Sequence, residues 1–390
     1  MKHPTRGDKM NFTSLRRLLY EKPESFWQRP LRLLRAIRRN PIKQFGIERH
    51  QIKLLRENYP AKAKKLIIFV TTNEDMVNGG IMSICAHYEE TTKIQQIHGA
   101  EVILCSGPDK KLLLKYTKFK NNNYIFGFSG ALSYFQALES IMIHIPEYMA
   151  DRFVTDLSKK DLSRLKKIKN IHINIMLQNI NGLKFMKSIK GLERFGKVTC
   201  TTAHRRYSTL DLRKELGVPL HLLSVRGDPK GYNRKKYNEK DDLLIISPDE
   251  HPMKSQILKL INEQLPQMKM RIIANLTHEE YKRVIERAKW ALTFGEGLDG
   301  YFVETIFSGG ISFSVYNSDY FTEEFRSLRT VYDSYDSLIK KICSDIKSLD
   351  EQSVYTGYQD EQYAICSRLY NNAEYYRNLS LFYDESYTFK

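Results

Sequence analysis

Cysteine is sparse, apolar runs are short, and acid is outnumbered. The five cysteines (Cys85, Cys105, Cys200, Cys343, Cys366) are scattered and odd in number, and none forms a Cys-x-x-Cys pair. That argues against a disulfide scaffold and for reduced, buried thiols in a cytosolic protein. No stretch approaches the ~20 apolar residues of a membrane-spanning helix. The N-terminus lacks the apolar core of a secretory signal. No His, Asp or Glu cluster has ligand spacing, and no Asp-x-Asp motif follows an N-terminal strand, so no metal site is expected. Core material is not lacking: 42% apolar and 12% aromatic residues exclude wholesale disorder. The 390 residues exceed one ordinary core, so two domains are expected.

The shortage of acid is local. Net charge is +17, yet residues 1–65 hold 18 Lys and Arg against five Asp and Glu, leaving +4 for the other 325. A basic patch confined to one segment favours a polyanion or an anionic membrane surface. Within it, "SFWQRPLRLLRAIRRNP" sets Phe26, Trp27, Leu31, Leu34 and Ile37 near helical spacing with arginines between. Such a helix can lie in a membrane interface, or on the protein's own surface with its arginines solvated; both readings stay open.

Residues 1–63 read as this basic extension. From Lys64 the pattern changes. "KKLIIFVTT" is a short continuous apolar run, as in a buried parallel strand. A helical stretch follows Asn78–Gly80, and Ala100–Gly107, Asn170–Ile180 and Val198–His204 read as further strands with helices between. Residues 64–225 therefore form one doubly wound α/β domain. Residues 226–241 are polar and rich in turn residues, as in a linker. A second alternation fills 242–349: "DDLLIISP", a helix Lys254–Leu265, "MRIIAN", a helix opened by the capping box "THEE", "WALTF", a helix holding Glu304, then "GISFSV". Residues 350–390 read as one long Tyr-rich helix returning to the N-terminal domain. Loops after the strands should line one cleft.

The segment "FGEGLDGYFVETIFSGGISFSV", Phe294–Val315, places two glutamates, Glu296 and Glu304, with seven residues between them, between a strand and a helix. Taken alone, they are also readable as charges favoured by a helix N-terminus. The segment resembles the donor-binding signature of retaining glycosyltransferases of family 4 with the GT-B architecture, two Rossmann-like domains facing a cleft. Glu296, Gly297, Glu304, Gly309, Gly310 and Val315 fall where that pattern puts them, and the likeness covers about residues 242–345. It implies that Glu304 accepts hydrogen bonds from a ribose diol and that Glu296 lies near the donor sugar. Gly297, Leu298, Asp299, Gly300 and Asn275 would complete the donor pocket, with glycine amides approaching phosphate.

Three other stretches bear on this. Asn78–Gly79–Gly80 matches a glycine pair whose backbone faces the donor phosphates in the family, though a plain strand-to-helix turn is the alternative. His204, at the end of "VTCTTAH", matches a histidine near the reacting sugar; a satisfied loop histidine is the alternative. Arg205 and Arg206 follow, facing phosphate, an anionic acceptor or water. "SPDEHPMKS" departs from the pattern. Lys254 can serve as the lysine that neutralises pyrophosphate, but the arginine's place is taken by Asp249 or a neighbour. A carboxylate beside a pyrophosphate is costly, so Asp249 is expected to point away.

The expectation is a retaining, metal-independent hexosyl- or deoxyhexosyltransferase. Its partners would be a nucleoside-diphosphate sugar and a glycan or lipid-linked acceptor, in cell-surface polysaccharide assembly. Glu296, His204 and Lys254 would be the catalytic groups. No cofactor and no nucleic acid are expected; the location is cytoplasmic, with residues 1–63 reaching an anionic membrane. Two alternatives remain: a non-catalytic GT-B relative that binds a glycan, and a basic nucleic-acid-binding protein.

Overall fold

The computed structural model describes residues 44–390, apart from 77, 109–110, 120, 179–185, 225–226, 275 and the side chains of 186–188. The arginine-rich helix expected around Phe26–Arg39 lies outside the described residues. Two units are distinguished, 1–50 and 51–390. In the first, residues 44–50 are helical, with the Arg49 guanidinium 4.5 Å from the centre of the Phe45 ring.

In the second, residues 51–58 form a helix (α1), although composition groups them with the extension. Leu54 and Leu55 are buried in the N-terminal core. Gln51 donates to the carbonyl oxygens of Ile125 (2.6 Å) and Leu113 (3.1 Å), and accepts from the Gly127 amide (3.1 Å).

Seven parallel strands follow. β1 is Lys65–Thr71, α2 Gly79–Lys93, β2 Glu101–Ser106, β3 Ile125–Gly127, α3 Phe128–Tyr134, β4 Ser140–Pro146, α4 Lys159–Leu165, β5 Asn170–Leu177, α5 Met186–Glu193, β6 Lys197–Thr202, α6 Leu210–Leu216 and β7 Leu220–Leu222. The order is β3-β2-β1-β4-β5-β6-β7, so the winding reverses between β1 and β4. Helices cover both faces, which is why β1 is apolar almost throughout and β5 is buried over its last six residues, His172 and Asn174 included.

Three of these strands escape the sequence pattern. β3 and β7 have three residues each, too few to show a period. β4 carries His144 within "SIMIHIP", and a histidine interrupts an apolar run. In the fold that histidine is buried, stacked 4.3 Å from Phe69, and bonded through Nδ1 to the Asn174 amide at 3.0 Å.

The second sheet has five parallel strands. β8 is Asp241–Ile246, α7 Lys254–Gln264, β9 Lys269–Ile272, α8 His278–Arg287, β10 Ala288–Leu292, α9 Gly300–Phe307, β11 Ile311–Val315 and β12 Val331–Tyr332. The order is β12-β11-β10-β8-β9, reversing between β10 and β8. The capping box is formed: Thr277 Oγ1 accepts from the Glu280 amide while Glu280 reaches back to the Thr277 amide. Trp290, Phe294, Phe313 and Tyr355 are among the residues of this core.

Helix α10, Tyr335–Leu349, precedes the tail. The tail is not one helix. α11, Gln352–Leu369, ends at Tyr370, and the Asn371 side chain accepts from the Glu374 amide to start α12, Asn372–Tyr383. α11 belongs to the second sheet: the Tyr355 hydroxyl lies 3.0 Å from the carbonyl oxygens of Lys289 and Gly309. α12 lies on the first. The Tyr375 hydroxyl is 2.6 Å from His87 Nδ1, Tyr383 bonds His144, and His221 Nε2 is 2.7 Å from the Asn378 carbonyl. Phe389 then pairs with Leu220 and covers the exposed edge of β7.

Candidate active site

In open α/β sheets ligands bind beyond the carboxyl ends of the strands, where the winding reverses. In the second sheet that place lies after β8 and β10, and it holds Asp249 and Glu296. The turn after β10 depends on glycine. Gly295 and Gly297 have φ of 66° and 79°. A Cβ on Gly297 would meet Ser314 Oγ at 2.6 Å and Phe321 at 2.8 Å. The Gly297 amide bonds the Phe294 carbonyl (3.2 Å), and its carbonyl accepts from Thr293 Oγ1 (2.7 Å). Gly297 therefore shapes the loop, and its amide is already used. Asp299 caps α9 through the Phe302 amide (3.0 Å), and Leu298 packs beside the Phe302–Phe321 cluster.

Four carboxyl groups share this wall. Glu296 is exposed at the residue level, yet crowding in the cleft raises its carboxyl above the usual range; His204 opposes the rise, Asp249 adds to it, and the Tyr320 hydroxyl opposes it. Burial holds Asp299 well above the usual carboxylate range against its bond to the Phe302 amide, with Asp249 and Glu296 adding repulsion. Burial also raises Glu304, while the Tyr232 and Tyr281 hydroxyls and Lys282 act in the opposite sense. Glu304 Oε2 is buried without a hydrogen-bond partner, and so is Asp249 Oδ2. The Asp249 carboxyl carbon lies 3.3 Å from where a Cβ on Gly295 would be. Asp249 therefore points at the glutamate loop.

Lys254 does not stand free. It is buried, and its ammonium donates to the carbonyl oxygens of Ser247 (2.9 Å) and Asp249 (2.8 Å). It also sits 5.5 Å from the centre of the Phe294 ring. Its visible contacts tie the β8–α7 loop to itself.

The first sheet supplies the opposite wall at its own reversal, after β1 and β4. The Asn78 side chain caps α2, accepting from the amides of Gly80 (2.8 Å) and Ile81 (3.4 Å). Gly79 is open, whereas a Cβ on Gly80 would meet Gln178 Oε1 at 2.8 Å. Gln178, at the carboxyl end of β5, joins the parts. Its amide N–H donates to Glu147 (3.1 Å), its side chain donates to the Gly80 carbonyl (3.0 Å), and its carbonyl lies 2.9 Å from His204 Nε2. The His204 ring meets Tyr320 of the second sheet's wall edge-on at 5.6 Å. The fold thus brings Gly80, His204 and Glu296 to one cleft, with Glu304 and Asp299 farther along the same loop and helix. Asn275 lies outside the described residues.

Gln178, Tyr320, Tyr232 and Tyr281 were not singled out from the sequence. Gln178 could have been, since it directly follows a strand on the side where ligands bind. Among the described residues, no group of three or more His, Cys, Asp and Glu is arranged to hold a metal ion. Among them too, no helix is long and apolar enough to cross a membrane.

No family model matches the chain, and no curated protein matches it. Solved structures do. Sucrose-phosphate synthase from Thermosynechococcus elongatus aligns over 83% of this chain and 99% of its own, with a TM-score of 0.52 at 10% identity. The fold is GT-B. Anabaena HepE in complex with UDP-glucose aligns at 0.49 with 9% identity, over 82% and 98% of the two chains. α,α-Trehalose 6-phosphate synthase from Burkholderia multivorans aligns at 0.47 with 8% identity, over 83% and 98%. The latter two fall below 0.5 and add no weight. At such identities the likeness is one of GT-B architecture alone.

Proposed function

We propose that the chain transfers a hexosyl or deoxyhexosyl group from a nucleoside-diphosphate sugar to a glycan or lipid-linked acceptor in cell-surface polysaccharide assembly. Transfer proceeds with retention and without a metal ion. One observation carries the reading: Glu304 holds a buried, unpartnered oxygen, while Glu296 on the same loop stands opposite His204. A buried acceptor without a donor costs about 1–3 kcal/mol, and a ribose hydroxyl removes that cost. The unpartnered oxygen of Asp249 suits a hydroxyl of the donor sugar in the same way.

In the reaction, the bond from the anomeric carbon to the β-phosphate oxygen breaks and its electron pair leaves with the diphosphate. The acceptor hydroxyl adds on the same face, and its proton passes to the released phosphate oxygen. Glu296 stabilises positive charge at the anomeric carbon, and His204 positions a sugar hydroxyl. Stabilising the departing phosphate is the largest demand. The test is calorimetry with UDP, GDP and dTDP on the full chain. Binding of one of them, lost in Glu304→Ala, supports the reading; binding of none defeats it. The basic extension, residues 1–63, is assigned to an anionic membrane surface; since Leu54 and Leu55 belong to the core, deletion of residues 1–43 should release the protein from anionic liposomes.

A second reading has one observation in its favour. Lys254 is engaged with backbone, and no arginine follows β8, so leaving-group stabilisation from this wall is weak. A non-catalytic GT-B relative would bind a nucleotide or glycan without turnover. Donor hydrolysis followed by NMR separates the two.

A further inference from the structure

Beside His204 the surface opens into a cavity of about 470 Å³. It lies between the turn after β6, the end of β7 and α12, at the carboxyl side of the first sheet where ligands bind. Arg205, Ser208, Glu374, Arg377 and Asn378 line it. Arg205 is paired with Glu374, so the second guanidinium, Arg377, is uncompensated: it is exposed and has no ion pair or hydrogen bond among the described residues.

Asn378 is the less ordinary member. It is 6% exposed, and its backbone carbonyl is used by His221. Its carboxamide makes no hydrogen bond among the described residues, and its polar atoms reach the solvent of the cavity. Here it faces the cavity with two donors and an acceptor, a set that matches a sugar's vicinal hydroxyls. Two guanidiniums against one carboxylate leave the wall net positive, and arginine is the side chain whose fork fits a planar or tetrahedral oxyanion.

We propose that this cavity is the acceptor-side subsite and that it takes a saccharide bearing an oxyanion. Arg377 holds the phosphate or carboxylate, and Asn378, Ser208 and Glu374 hold ring hydroxyls. Arg205 starts the turn that His204 introduces, so an acceptor seated here enters the cleft past the histidine. The proposal rests on the glycosyl-transfer reading and narrows its acceptor to an anionic sugar.

The experiment is ligand-observed NMR on the full chain at millimolar glucose 6-phosphate, glucuronic acid and methyl glucoside, with UDP, GDP and dTDP binding measured in parallel. One anionic sugar should bind at least about tenfold tighter than methyl glucoside, roughly one charge-assisted contact. Arg377→Ala should abolish that preference, Asn378→Ala should weaken every sugar that binds, and neither should change nucleotide affinity. The tighter of the two anionic probes tells phosphate from carboxylate. Equal binding of all three sugars, binding of none, or a preference that survives Arg377→Ala overturns the subsite. If a nucleotide binds while the anionic preference is absent, the subsite alone fails; if no nucleotide binds, the glycosyl-transfer reading has failed.

Discussion

Acid should unlatch the C-terminal helix from the first sheet, and histidines set the size of the effect. His87 and His172 are 5% and 8% exposed, and burial pushes each from 6.5 down to about 4. For His172 the nearby Lys197 adds to the shift and Glu385 opposes it. Burial also holds His144 well below its ordinary value, with the neighbouring histidines adding to it, and lowers His98 and His221. All five touch residues of α12 or the segment after it.

The folded state keeps these rings neutral, so the unfolded chain binds more protons below pH 6.5. Stability is therefore full above that pH and is lost as pH falls towards 4. At pH 5, a ring shifted from 6.5 to about 4 costs about 2 kcal/mol relative to pH 7.5, so His87 and His172 together cost about 4 kcal/mol. That is a large share of the roughly 5–15 kcal/mol that holds a typical protein folded. Urea unfolding followed by circular dichroism at pH 7.5 and pH 5 measures it. The variant His87→Gln, whose amide can still meet the Tyr375 hydroxyl, should lose about 2 kcal/mol less between the two pH values than the parent chain. An identical pH dependence in parent and variant would refute the reasoning.

Glu304→Ala should weaken nucleoside diphosphate binding at least about tenfold, since hydrogen bonds to a charged group contribute about 1.5–3 kcal/mol. Lys254→Met should lower the melting temperature, since the Ser247 and Asp249 carbonyls lose their donor. Unchanged melting with lost nucleotide affinity would instead return Lys254 to the pyrophosphate. Gly297→Ala should cost about 2–4 kcal/mol, from a φ of 79° and the approach of Ser314 Oγ, read as a lower urea midpoint.

What could be read in advance was local. β1 and the second part of β8 are short apolar runs, and the capping box at Thr277 is complete within four residues, so both are visible in a short window. Glu296 and Glu304 belong to the same class, because one turn and one helix fix their relation. What could not be read is set by contacts between distant segments. Gln178 meets Gly80 across 98 residues, and Tyr320 meets His204 across the cleft. Asp249 packs against Gly295 at the next strand's end, an approach that a local reading of its charge does not contain. β4 was hidden because His144 reads as polar until Asn174 and Phe69 are seen around it.

The placing of α12 also has a consequence in time. The first sheet is complete at Leu222, yet the helix that shelters its histidines begins at Asn372, about 150 residues later. At roughly 5–20 residues per second, a ribosome leaves that face open for about 8–30 seconds. During this interval His87, His144, His172 and His221 stand in water. The half of the molecule made first is thus the last to close, and a chain interrupted anywhere before Asn372 leaves that face bare.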